Sequence, residues 1–446
     1  MNNAGVVAQL EDRAILSGRR PPTQDNIDPC LAQQPLIGSD QAILAQAETI
    51  AKTIREASRQ AGARLVGNGA AVWPTQPHHE DWQCGQLQPF RYDLYSGICG
   101  IALFLAAWVK VSHRDDYRPL IDAAIHPLCH LTPEQIDDWF AKDSVGAGTG
   151  FFSVIYCLLR IAILLDDREL LSVALRIAQR APDQKIEHYR PVDLMGGLAG
   201  CVLVWLALYP VTGEPWMIDR AARCGEHLLA RRTVTPSGLR AWETSPGKCQ
   251  SGYAHGAAGI IHALCRLFEL TGEKKYQDAA AEAMAYEDSL YSVAEENWPH
   301  LLHPMPDGGY ACWNSWCNGA PGVGLSRLRS IPCLGEAACL PDIEHSLRTA
   351  AKSGSLGHID FPCCGTLGRL ELFLEAGRTL GSAYSFNLAA QLADSVLRRA
   401  ARKGHYGLGD TDQCLPLTFH KGLAGIGYQL LRTLHPNVLP SVLTWE

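Results

Sequence analysis

The chain has 446 residues, 47% of them hydrophobic and 19% charged, with a formal net charge of −7. That is enough apolar mass for a large core, as one big helical unit or as two to three ordinary domains. The negative balance and the lack of a dense Lys/Arg run exclude a nucleic-acid or anionic-membrane surface as the main partner and favour a peptide or small molecule.

In chain order, the opening MNNAGVVAQLEDRAILSGRR has acidic and polar residues where a secretory signal needs an unbroken apolar core. The most apolar stretch, Ile98 to Val111, is shorter than the ~18 residues a bilayer span requires, so a cytoplasmic location without membrane insertion is expected. Residues 1 to about 40 have no clear periodicity, Gln41 to Ala61 reads as an amphipathic helix, and residues 64 to 93 are polar with scattered prolines. Residues 1–93 therefore read as a lead-in, with no Gly/Ser or Pro-rich linker to mark a second domain.

From residue 94 to 446 a repeat organises the chain. A G-x-x-G element followed by an apolar run occurs at Gly97/Gly100, Gly197/Gly200, Gly256/Gly259, Gly319/Gly322, Gly365/Gly368 and Gly422/Gly425. A looser copy, GAGTGFFSVIYCLLRI, reads with Gly150 in the second position and Ala147 in the first. Steps between second positions of 50, 50, 59, 63, 46 and 57 residues leave room for two helices each time. The segments between copies, such as those from Arg168 and Trp216, carry apolar residues at three- and four-residue intervals and read as outer helices. The helices after G-x-x-G are apolar nearly all round, so they read as an inner ring buried on both sides. The predicted fold is all-α: an α/α toroid of seven helical hairpins.

Sixteen cysteines in a chain without a secretory signal point to free thiols, not to a disulfide framework. Cys99, Cys157, Cys201 and Cys265 lie within apolar runs and read as small core hydrophobes. Others are distinguished by position, because in a closed ring the residues just before the glycine turns face one rim. Cys317 and Cys363 stand two before the first glycine of neighbouring repeats, Cys364 and His255 one before, and Asp193 four before. Taken singly, the cysteines would be buried thiols, the histidine a core histidine and the aspartate a helix cap. Converging on one rim, thiolates with an imidazole and a carboxylate are what a catalytic zinc site needs, and three protein ligands leave a fourth position open.

The span from Tyr95 to Glu446 resembles the lanthionine synthetase C-like cyclases, on HG-x-x-G at His255, WCNGAPG around Cys317, CCG at Cys363–Cys364 and D-x-x-x-G-x-A-G at Asp193. The resemblance implies an α/α toroid with seven inner helices and one zinc ion held by Cys317, Cys363 and Cys364. It implies that a cysteine thiol of a dehydrated precursor peptide adds to a dehydroalanine or dehydrobutyrine to form a thioether. His255 would then give the proton to the α-carbon, with Asp193 orienting His255 or accepting the thiol's proton.

Many relatives have CHG where this chain has CCG, and the three-cysteine form is similar to a subgroup of bifunctional class II synthetases, as is the closing LPSVLTWE. The dehydratase those enzymes carry would be a preceding domain absent from this lead-in, or a separate protein. Trp313 stands where some free-standing cyclases have an arginine. Two rival readings remain open: a non-catalytic zinc protein that binds glutathione or a partner's cysteine, and an α/α-toroid glycosidase, which needs two rim carboxylates.

Overall fold

The computed structural model describes residues 40–65, 91–352, 358–409 and 416–446, so most of the expected lead-in, at 1–39 and 66–90, lies outside the described residues. The helices are α1 (Asp40–Leu65), α2 (Ile98–Ser112), α3 (Arg118–Cys129), α4 (Pro133–Lys142), α5 (Phe151–Leu165), α6 (Arg168–Gln179), α7 (Asp183–His188) and α8 (Leu198–Thr212). They continue with α9 (Trp216–Ala230), α10 (Ala257–Thr271), α11 (Lys274–Ser289), α12 (Ala320–Leu334), α13 (Glu336–Ala350), α14 (Thr366–Leu380), α15 (Ala383–Lys403) and α16 (Leu423–Leu434). A two-stranded hairpin of β1 (Thr233–Val234) and β2 (Arg240–Ala241) joins α9 to α10.

Helix α2 packs on α5, α5 on α8, α8 on α10, α10 on α12, α12 on α14, α14 on α16, and α16 back on α2, which closes an inner ring of seven. The outer layer pairs α3 with α2, α6 with α5, α9 with α8, α11 with α10, α13 with α12 and α15 with α14. The seventh cover is α1, from the stretch read as a lead-in, which lies against α16. The result is an α/α toroid.

Sequence pattern accounts for the two layers. Every residue of α2 from Ile98 to Val109 is buried, as suits a helix walled on all sides, and each large apolar chain contributes roughly 1.5–3 kcal/mol on full burial. Helix α6 buries only Leu170, Ala174, Ile177 and Ala178, one stripe at helical spacing, and Asp167 caps its start by accepting from the Leu170 N–H. Cys99, Cys157, Cys201 and Cys265 are buried inside the inner helices. No helix among the described residues is long and apolar enough to cross a membrane.

The inner helices share one start. Gly97, Gly197, Gly256, Gly319, Gly365 and Gly422 are the N-caps, and so is Gly150. Gly150 is therefore the first glycine of its repeat and not the second, and the second position is Ser153. Its hydroxyl donates to Gly150 O at 2.5 Å and accepts the Leu94 N–H at 3.2 Å. A serine that bonds the backbone is accommodated where the other copies use glycine to admit a neighbour. At Gly322 the reason is plain: a Cβ would lie 2.0 Å from Trp316 O and 2.7 Å from the Tyr253 Cβ of the repeat before.

The entry turns are stitched into one circle. Tyr95 N–H donates to Gly148 O, Gly148 to Met195, Met195 to Ala254, Ala254 to Cys317, Cys317 to Cys363, Cys363 to His420, and His420 back to Tyr95, all at 3.0 to 3.2 Å. Each of these residues stands two before the first glycine of its repeat, so one residue per hairpin enters a closed ring of seven backbone hydrogen bonds. The C-terminal tail braces this rim from below. Trp445 Nε1 donates to Ala147 O at 3.0 Å, and Trp316 Nε1 donates to Leu443 O at 3.1 Å.

Candidate active site

Cys317 and Cys363 are consecutive members of the hydrogen-bonded ring, and Cys364 follows Cys363 at the start of α14. The Cys317 and Cys364 Sγ atoms are 3.5 Å apart, those of Cys363 and Cys364 3.2 Å, and all three lie within 4.8 Å of one another. The described cysteines are free thiols, these three included. The loop into α12 needs Gly319 at φ 98°, a left-handed value costly for other residues, and a Cβ there would strike Trp313 O.

Two neighbours complete the sulfur cluster. The Tyr95 hydroxyl is 3.4 Å from Cys363 Sγ, and the Ser315 hydroxyl is 3.5 Å from Cys317 Sγ. Hydrogen bonds from Cys363 and Cys364, with those of Ser315 and Asn318, hold the Cys317 thiol well below the usual range. The hydrogen bonding and charge of Cys317 in turn push Cys363 and Cys364 up. Three thiols crowded this closely titrate together and not independently. Three convergent, unbridged sulfurs form a soft donor set that fits zinc.

On the same rim, His255 Nδ1 is 2.8 Å from Asp193 Oδ2, while Asp193 Oδ1 accepts the Gly196 N–H at 2.7 Å. Asp193 therefore caps the turn and holds the imidazole at once. The His255 side chain is 52% exposed. Burial opposes its protonation, but the Asp193 hydrogen bond and charge, with a contribution from Cys317, prevail and raise its pKa above the ordinary histidine value. With Nδ1 engaged by the carboxylate, a transferable proton belongs on Nε2.

All five expected residues are thus at one rim, and three more that the reading of the sequence did not single out are there too. Tyr95 and His420 occupy the same offset as Cys317 and Cys363, two before a first glycine, so the offset itself was the available signal. His420 is fully buried, stacked on Tyr95 at 4.7 Å and beside Trp316 at 5.4 Å, and burial pushes its pKa down to about 3. Lys421 shares the offset of His255 and Cys364, with its Nζ 5.9 Å above the Tyr95 ring.

Seven helical pairs in a closed ring, with thiols and an imidazole–carboxylate pair on one rim, define an α/α-toroid protein. The chain belongs to the family of lanthionine synthetase C-like proteins, whose model matches residues 88–444. Among solved structures it is similar to nisin cyclase, at 16% identity and a TM-score of 0.62, over 89% of this chain and 97% of that one. It also matches a GH76 α-mannanase of Bacteroides thetaiotaomicron at 13% identity and a TM-score of 0.47, over 74% of this chain and 98% of the other. A sugar epimerase from a ruminal bacterium matches at 11% identity and 0.44, over 70% and 98%.

Proposed function

We propose that the chain is a zinc-dependent cyclase that closes lanthionine and methyllanthionine rings in a dehydrated precursor peptide. The observation that carries this reading is the meeting of three free sulfurs from two adjoining repeats on the rim that also holds the His255–Asp193 pair. The family assignment and the likeness to a protein named nisin cyclase support it.

Cys317, Cys363 and Cys364 would hold the zinc. A zinc ion there would lower the pKa of a peptide thiol from its free value of ~8.5 and present it as a thiolate. The chain's own residues do the rest. Asp193 fixes the imidazole of His255 and sustains its charged form, and His255 supplies a proton from Nε2 to the α-carbon after sulfur has added to the β-carbon. The thiol's proton leaves before addition and the α-carbon gains one after it, so the reaction is neutral in protons overall. The working place is the cytoplasm, and the substrate comes from a dehydratase, either as a domain or as a separate protein.

The test is ring closure on a dehydrated, cysteine-bearing peptide, followed by loss of alkylatable thiol in mass spectrometry. Closure faster than in buffer, abolished by chelation and restored by zinc, is expected. Zinc binding without acceleration would instead favour a protein that only binds thiols, and ring closure indifferent to chelation would contradict the zinc assignment.

A further inference from the structure

A second imidazole stands beside the cluster, and the reading above gives it no task. The segment between α11 and α12 folds into a hairpin that begins at His300. The His300 N–H donates to Ala311 O at 2.8 Å, Ala311 N–H to His303 O at 2.9 Å, and Met305 N–H to Gly309 O at 2.8 Å. One end is tied to the loop of His255, because Ser251 Oγ donates to Pro299 O at 2.6 Å. The returning arm runs through Trp313 to Cys317, and Asn297 Nδ2 holds Trp313 O at 3.1 Å. His300 thus lies in a segment tied to the loop of His255 and to the loop that leads to Cys317.

Its ring is clamped. The His303 ring lies 4.4 Å away at 86° and the Trp313 ring 4.5 Å away at 66°. Nδ1 accepts the Leu302 N–H at 3.3 Å, which puts the proton on Nε2 if the ring is neutral. Burial, reinforced by His303, pushes the pKa of His300 down to about 4, so the ring is neutral near pH 7. Trp313, against which the ring packs, stands four residues before Cys317, and Ser251, which holds the carbonyl of Pro299, stands four before His255. The Nε2–H makes no hydrogen bond within the described residues, although the residue is only 7% exposed.

We propose that His300 is a further catalytic residue of the cyclase, whose neutral Nε2–H binds the carbonyl oxygen of the dehydroamino acid and holds the negative charge that collects there. In the addition, a sulfur lone pair forms the S–Cβ bond and the Cα=Cβ π pair moves into the amide, leaving an enolate oxygen. The enolate then collapses as Cα takes a proton from His255, so His300 gains and loses none. A neutral, fixed donor suits this task because it stabilises developing charge without competing as an acid. The two histidines divide the work: one half-exposed and held by Asp193, the other buried and clamped.

This inference rests on the cyclase reading, and the variants keep the two apart. His300→Phe keeps an aromatic ring against His303 and Trp313 but removes the donor. His300→Gln places an amide N–H near the lost Nε2, and His300→Asn, similar in bulk, cannot reach it. With zinc content and helical circular dichroism at the wild-type level, kcat should fall about 100-fold in the Phe variant with KM little changed, and Gln should exceed Asn by about tenfold. A Phe variant as fast as wild type, or Gln and Asn equally slow, overturns the role of His300 and leaves the cyclase reading intact. A wild-type chain that closes no ring overturns both.

Discussion

Asp193 holds two partners at once: Oδ1 takes the Gly196 N–H at 2.7 Å while Oδ2 meets His255 Nδ1 at 2.8 Å. Asparagine can keep the first contact but not the charge of the second. With Asp193→Asn, the pKa of His255 should fall. An acid must be protonated to act, so the alkaline limb of the kcat–pH profile should move to lower pH. A limb that stays in place would detach Asp193 from proton transfer.

The sulfur cluster predicts a metal count. Purified from zinc-replete medium, the chain should carry a single zinc ion, lost or much weakened in Cys317→Ala, Cys363→Ala and Cys364→Ala. His255→Ala should keep the ion while ring closure slows by about 100-fold or more, as expected when a general acid is removed. Metal analysis beside the thiol-loss assay separates the two classes of variant, and wild-type protein that stays metal-free would contradict the zinc assignment.

Tyr95 reaches Cys363 from the repeat that closes the ring, with its hydroxyl 3.4 Å from the sulfur. Groups that hold a ligand in place typically cost 10–100-fold in metal affinity when removed. Tyr95→Phe should therefore weaken zinc binding by about tenfold in a competition titration with a chromophoric chelator, while the stacking on His420 is retained.

Close approach between repeats can be tested at Gly322, where a Cβ would stand 2.7 Å from the Tyr253 Cβ of the repeat before and 2.0 Å from Trp316 O of its own turn. Gly322→Ala forces that carbonyl and the neighbouring Tyr253 apart and should cost about 1–3 kcal/mol in denaturant unfolding. Ser153 at the equivalent position tolerates a side chain because its hydroxyl is hydrogen-bonded, so Ser153→Ala should lose stability by about 1 kcal/mol from the opposite cause, an unpaired Leu94 N–H.

The tail gives a pH prediction. Burial alone would raise the pKa of Glu446, but Arg329, the Ser441 N–H, Arg378 and Arg432 overcome it and hold the carboxyl at about 2. A depressed folded value contributes stability that is complete above the unfolded pKa, near 4.5, and is lost as the pH falls toward 2. Glu446→Gln should therefore unfold more readily at neutral pH and lose less stability than wild type between pH 5 and about 2 in urea titrations.

The chain by itself determined the helices, their two kinds and most of the residues that meet at the rim. Burial on all sides demands apolar residues all round, burial on one side demands a stripe, and both patterns are local. The offset of Cys317 and Cys363 before their glycines was legible for the same reason, since equivalent places in a repeat occupy equivalent places in a ring. The register of the second repeat was not, because GAGTG offers three glycines and only the folded helix shows that Gly150 is the one that starts it.

Tertiary structure alone decided how the circle closes. Helix α1 covers α16 although most of the chain separates them, and Tyr95 meets Cys363 and His420 because the first repeat lands beside the last two. It also decided that the hairpin of His300 is tied to the loops of His255 and Cys317, since that hairpin has neither helical period nor repeat. Periodicity reports on the environment of a residue along its own element, whereas which ends of a ring meet depends on the summed rotation of every pair between them.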